Sequence, residues 1–171
     1  MYLRGISTGD FYEAMQDYLA TYLTDHMAGA RFAMSLLSHM QGTYRTEPLG
    51  DFATKLLDDI EHDFAILQTI AERLETSSNP IKEAGAWLAQ KASQLKLRCA
   101  RDNPLGTFES LEFLSLGVLG KLKLWQVLAT LAPTRPALQN IDFNELASRA
   151  QRQHDELERL RREVGQMVFA V

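Results

Sequence analysis

Tyr22-Leu-Thr-Asp-His-Met-Ala-Gly-Ala-Arg31 sits in the middle of a long helical pattern and places a histidine where apolar residues belong. The seam around it reads Leu19, Leu23, His26, Ala30, Ala33, Leu37 and Met40, in alternating steps of four and three. That spacing brings every member to one face of an α-helix and suits packing between bundled helices. Asp10, with Glu13 three residues on, is a start signal for this helix, which is expected to run from about Asp10 to Gln41. Gly29, Ala30 and Ala33 are small enough for another backbone to approach closely.

Four further helical patterns follow. The second runs from about Pro48 to Glu75, with Thr46 expected as its cap and a stripe of Phe52, Ala53, Leu56, Ile60, Phe64, Leu67, Ile70 and Leu74. Asn79-Pro80 starts a third, to about Ala100, with Ile81, Ala84, Leu88, Ala92, Leu95 and Cys99 on one stripe. The fourth, about Thr107 to Ala132, is apolar around most of its circumference, as expected of a helix touched on more than one side. Asp142, with Glu145 at capping distance, starts the fifth, whose seam is Leu146, Ala150, Gln153, Leu157, Leu160, Val164 and Met167. No strand pattern competes. The sequence therefore predicts an all-α fold in one domain over residues 1–171. Four helices are long, and the third crosses the length of the bundle between two antiparallel pairs.

Composition bounds the partners. Hydrophobic residues make up 46% of the 171 and charged residues 23%, with a net charge of −4, which argues against nucleic acid as a partner. No apolar run approaches the roughly 20 residues needed to span a bilayer, and no membrane partner is expected. The N-terminus has no signal-peptide pattern, and the single cysteine, Cys99, suits a reducing cytoplasm.

Polar residues on the apolar seams are the functional candidates. At about 100° per residue, His26, Asp63, Ser115 and Gln153 fall on the stripes of four different helices, each near its helix middle. Asp59, Glu112 and His154 flank them. Buried groups of this kind must pair, hydrogen-bond or bind an ion. Three arrangements satisfy that demand. One is a hydrogen-bonded layer, His26 to Asp63 with Gln153 closing it, that holds helix register. Another is a metal site in which His26, Asp63, Asp59, Glu112 and His154 bind iron or another transition metal. The last is a small-ligand pocket bordered by the same layer. His62 is expected in solvent and His39 near the end of its helix. Trp87 and Trp125 are expected to pack the third helix on the fourth, and Cys99 is read as an inert buried thiol. Lys121-Leu-Lys-Leu124 is too short a basic cluster to mark an anion site.

Two hairpins, a crossover and mid-bundle polar residues resemble the ferritin-like superfamily. The segments Leu23-Thr-Asp-His-Met-Ala-Gly-Ala30, Ile60-Glu-His-Asp63, Leu111-Glu-Phe-Leu-Ser-Leu-Gly117 and Gln151-Arg-Gln-His-Asp-Glu-Leu-Glu158 are also similar to a family of uncharacterised bacterial proteins. Di-iron members of the superfamily draw a Glu from each of two helices and a Glu-x-x-His pair from each of the others. Here His26 stands where the first Glu is expected, Asp59-Ile-Glu-His62 replaces one pair and Gln151-Arg-Gln-His154 the other. The resemblance thus implies the fold without the di-iron site. The expected protein is a non-catalytic binding or interaction module without a resident cofactor, with Met167-Val-Phe-Ala-Val171 expected as the surface for homodimer formation. The rival is a metal-dependent oxidoreductase.

Overall fold

Proline in the first turn starts two of the helices, since its missing N–H has no partner to lose there. The computed structural model describes residues 8–74, 93 and 95–170, with side chains from Tyr18 onward. Its long helices are α1 (Thr8–Thr43), α2 (Pro48–Arg73), α3 (Pro104–Leu131) and α4 (Phe143–Phe169), with two short 3-10 turns between the last two. The cap of α2 is Glu47 rather than Thr46, and it makes no side-chain cap bond. Asn103 Oδ1 accepts from the N–H of Gly106 at 3.1 Å, so α3 starts at Pro104, three residues before the expected Thr107. Asp142 caps α4 as its sequence predicts, accepting from the N–H of Glu145 at 3.0 Å.

Side-chain bonds at the two ends set the helix directions. Tyr44, just after α1, puts its hydroxyl 2.5 Å from Thr107 Oγ1 in the first turn of α3. At the other end Arg73, the last residue of α2, donates to the carbonyls of Ala137 and Gln139 in the α3–α4 connection. Hence α2 and α3 run the same way, with α1 and α4 antiparallel to them. α1 packs on α2 and on α3, and α3 packs on α4. The third helix expected from Pro80 to Ala100, including Trp87, lies for the most part outside the described residues. Leu95 and Cys99 near its end are buried in the core.

That core is split. Near the Tyr44 end, Leu36, Leu37, Met40, Phe52, Leu56, Ile60, Leu111, Leu114, Val118 and Leu157 form one apolar cluster. Toward the other end, Leu19, Leu23, Met27, Leu67, Ile70, Leu122, Trp125, Leu128, Leu138 and Phe143 form a second. Two glycines allow close backbone approach at the Tyr44 end. A Cβ on Gly50 would stand 2.1 Å from the Tyr44 carbonyl oxygen, and one on Gly106 would stand 1.8 Å from that of Arg98.

By length and composition, the segment Pro104–Thr134 is apolar enough to cross a bilayer, with a mean hydropathy of 1.2 over its best window. Glu109, Glu112, Lys121, Lys123 and Gln126, as well as Gly, Ser and Thr, interrupt its apolar positions. In the bundle α3 touches both α1 and α4, yet Phe113, Leu116 and Val127 remain exposed.

Candidate functional site at mid-bundle

Between the two apolar clusters lies a charged network. Asp63, on the buried face of α2, is 2% exposed. Its Oδ2 accepts from the ammonium of Lys121 on α3 at 2.6 Å, and its Oδ1 from the guanidinium of Arg149 on α4. Lys121 also donates to Oε1 of Gln153 at 2.6 Å, which leaves the Gln153 amide nitrogen to donate to Asp59 Oδ2 at 2.8 Å. Both cations thus close on Asp63, and the neutral Gln153 amide links Lys121 to the second carboxylate, Asp59. Burial pushes the Lys121 ammonium below the usual lysine range, and the Asp63 carboxylate opposes that shift.

The expected pairing of His26 with Asp63 does not form; the Asp63 oxygens accept from Lys121 and Arg149 instead. His26 instead stands on a cavity wall, its ring edge-to-face with Tyr22 at 4.6 Å. Burial lowers its pKa, and the nearby Asp25 carboxylate pulls the other way. Nor does Ser115 join the network. It donates to Glu158 Oε1 at 2.5 Å, and Arg161 holds the same carboxylate at 2.8 Å. Arg161 first, and then Ser115, draw Glu158 down to about 2.

The residues of the metal arrangement are dispersed. Asp59 is bound to Gln153, Glu112 lies 3.2 Å from Arg161, and His154 is 3.8 Å from Asp155. Among the described residues, no three His, Cys, Asp or Glu side chains gather within reach of one ion. His62 is exposed, and His39 donates from Nε2 to the Cys99 carbonyl at 2.8 Å. Trp125 is fully buried and packs on Phe143 rather than outward. Cys99 is a buried thiol whose pKa burial raises. At the C-terminal end Met167 and Phe169 are exposed, with Phe169 edge-to-face on Phe108 at 5.1 Å.

Beside the network a cavity of about 350 Å³ opens between α1, α2 and α3. Its walls are largely apolar, from Ala30 and Ala33 through Ile60, Phe64 and Leu67 to Val118 and Leu124. Small residues make the room. The sequence placed a close backbone approach at Gly29, Ala30 and Ala33. The structure puts space there, facing Gly117 and Gly120 of α3, where an added Cβ would meet nothing within 4 Å. Lys121, Asp63 and His26 reach the cavity as its polar groups, and Asp25 and Tyr22 line it as well.

Lys121 and Arg149 are the members that sequence reasoning missed. Their signal was positional. Lys121 falls three residues after Val118 and four before Trp125, and Arg149 three after Leu146 and four before Gln153, so both lie on the seams. Comparison with known proteins adds no relative: no family model, no curated protein and no solved structure matches the chain.

Proposed function

We propose that this chain is a non-catalytic ligand-binding module: a ferritin-like bundle whose mid-bundle charges hold helix register beside a small-molecule cavity. One observation carries the reading. An apolar cavity of about 350 Å³, with a few polar groups at its wall, has the size and character of small-molecule sites. The parallel course of α2 and α3, each paired with an antiparallel partner, supports the ferritin-like topology. The fixed partners of Asp63, Asp59 and Glu112 support a register lock in preference to metal chemistry, because Lys121 and Arg149 hold Asp63, the Gln153 amide holds Asp59 and Arg161 flanks Glu112.

The test is equilibrium binding of N-phenylnaphthylamine, a neutral apolar fluorophore, to the full chain. Saturable binding at one site per chain, abolished by Ala33→Phe and kept by a substitution at exposed Arg159, is the expected result. Absence of saturable binding in the folded wild-type chain overturns the ligand-binding reading. Stoichiometric iron, manganese or zinc in protein purified without chelators overturns the preference for a register lock.

A further inference from the structure

We infer that the ligand of this cavity is electrically neutral where it is buried: an apolar molecule carrying one uncharged hydrogen-bonding group, and neither a carboxylate nor an amine. The inference rests on the ligand-binding reading above and deepens it.

Charge balance at the cavity wall is the argument. The acidic and basic side chains bordering the cavity are Asp25, which is exposed on α1, and the Asp63–Lys121 pair, whose carboxylate also accepts from Arg149 and whose ammonium is joined to Asp59 through the Gln153 amide. A buried charge without a partner is expensive, and at the buried wall Asp63 and Lys121 already answer each other. A ligand carboxylate brought to Lys121 would stand beside Asp63, and a ligand ammonium brought to Asp63 would stand beside Lys121 and Arg149. Either one displaces a partner or adds an unpaired charge.

An uncharged polar group meets neither obstacle. An ammonium has three N–H donors, and Lys121 gives two of them to Asp63 and Gln153. The third remains for a hydroxyl, ketone or amide oxygen in the cavity. His26 lines the same space, and as a neutral imidazole it offers one donor and one acceptor. The remainder of the wall, built from Ala33, Phe64, Leu67 and Leu124, accepts a hydrocarbon body.

The experiment compares n-octanol, octanoate and octylammonium, which share a chain length and differ in charge. Each displaces N-phenylnaphthylamine from the wild-type chain at pH 7.5, at an ionic strength held constant. The expected result is that n-octanol displaces the probe at a concentration at least ~10-fold lower than either ion. Equal or stronger displacement by octanoate or octylammonium overturns the neutral-ligand inference and leaves the ligand-binding reading standing. Failure of the probe and of all three compounds to bind overturns both.

Two variants shift the balance on purpose. Asp63→Asn leaves a surplus positive charge and is expected to move preference toward octanoate. Lys121→Met leaves a surplus negative charge and is expected to move it toward octylammonium. Loss of all three affinities in parallel, in folded variants, counts against charge selection and assigns these residues to cavity shape alone.

Discussion

Lys121 and Asp63 come from helices that run in the same direction, and their Nζ and Oδ2 atoms meet 2.6 Å apart between the two apolar clusters. The side chains are 12% and 4% exposed, so water screens the pair little. Removing one member of a buried pair strands the other. Lys121→Met is expected to lower unfolding free energy by about 3 to 5 kcal/mol. Replacing both, as Lys121→Met with Asp63→Leu, is expected to recover most of that loss, since Arg149 is 25% exposed and can turn to solvent. Urea denaturation of the single and double variants decides it. A double variant no more stable than the singles would falsify the pairing.

Tyr44 and Thr107 tie the α1–α2 turn to the start of α3. Tyr44→Phe keeps the ring packed and removes the hydroxyl, for an expected loss of about 1 to 2 kcal/mol. In a cycle with Thr107→Val, the double variant should lose less than the sum of the single losses. Strict additivity means that the two hydroxyls do not interact.

Glu158 gives an acid-range signature. Its folded-state pKa is about 2 against 4.5 for the free side chain, so the unfolded chain takes up this proton first as pH falls. Its contribution is full above pH 4.5 and is lost as pH falls from there toward 2. Glu158→Gln should flatten that part of the profile of urea midpoint against pH. An unchanged profile would show that Arg161 and Ser115 do not hold the carboxylate.

His26 acts at milder pH. Its folded-state pKa lies below 6.5, so the neutral ring is favoured in the fold, and the unfolded chain binds the proton first. Its contribution is complete above pH 6.5 and falls as pH drops toward the lowered value. Asp25 on its own helix, and Asp63 and Lys121 across the cavity, are the charged groups bordering the same space. Proton NMR titration of the His26 ring should give a midpoint below 6.5, and a midpoint above it rejects this account.

Gly106 and Gly29 are predicted to behave oppositely. Gly106→Ala drives a methyl into the Arg98 carbonyl and should destabilise the chain by at least about 2 kcal/mol. Gly29 lies within α1 with nothing in reach of an added Cβ, and Gly29→Ala should stabilise by up to about 1 kcal/mol. Melting temperatures moving in opposite directions check both.

The four described long helices were legible in the sequence from their periodicity, although α1 begins at Thr8, ahead of the Asp10 signal. The Asp142 cap and the Pro48 start stand where their residues place them. Thr46 failed as a cap because the turn after Tyr44 brings Glu47, not Thr46, to the helix entrance. Asp63 and Gln153 could be found as polar residues on apolar seams. Their partners Lys121 and Arg149 also hold seam positions, but a long Lys or Arg side chain there reaches outward as readily as inward, and spacing does not tell which. His26 was legible as misplaced but not as a cavity residue. A void depends on how far apart two small-residue faces sit, and that distance belongs to the packed bundle, not to either helix.

The division of charge between the two hairpins bears on how the bundle assembles. Both anions of the network, Asp59 and Asp63, come from the α1–α2 hairpin, and both cations, Lys121 and Arg149, come from the α3–α4 hairpin. Each hairpin is therefore half of a complementary pair. Two copies of the first, laid face to face, would set aspartates against aspartates, and two copies of the second would do the same with cations. Like charges at close range discourage both arrangements, so the bundle's waist favours one hairpin finding the other over either finding its twin.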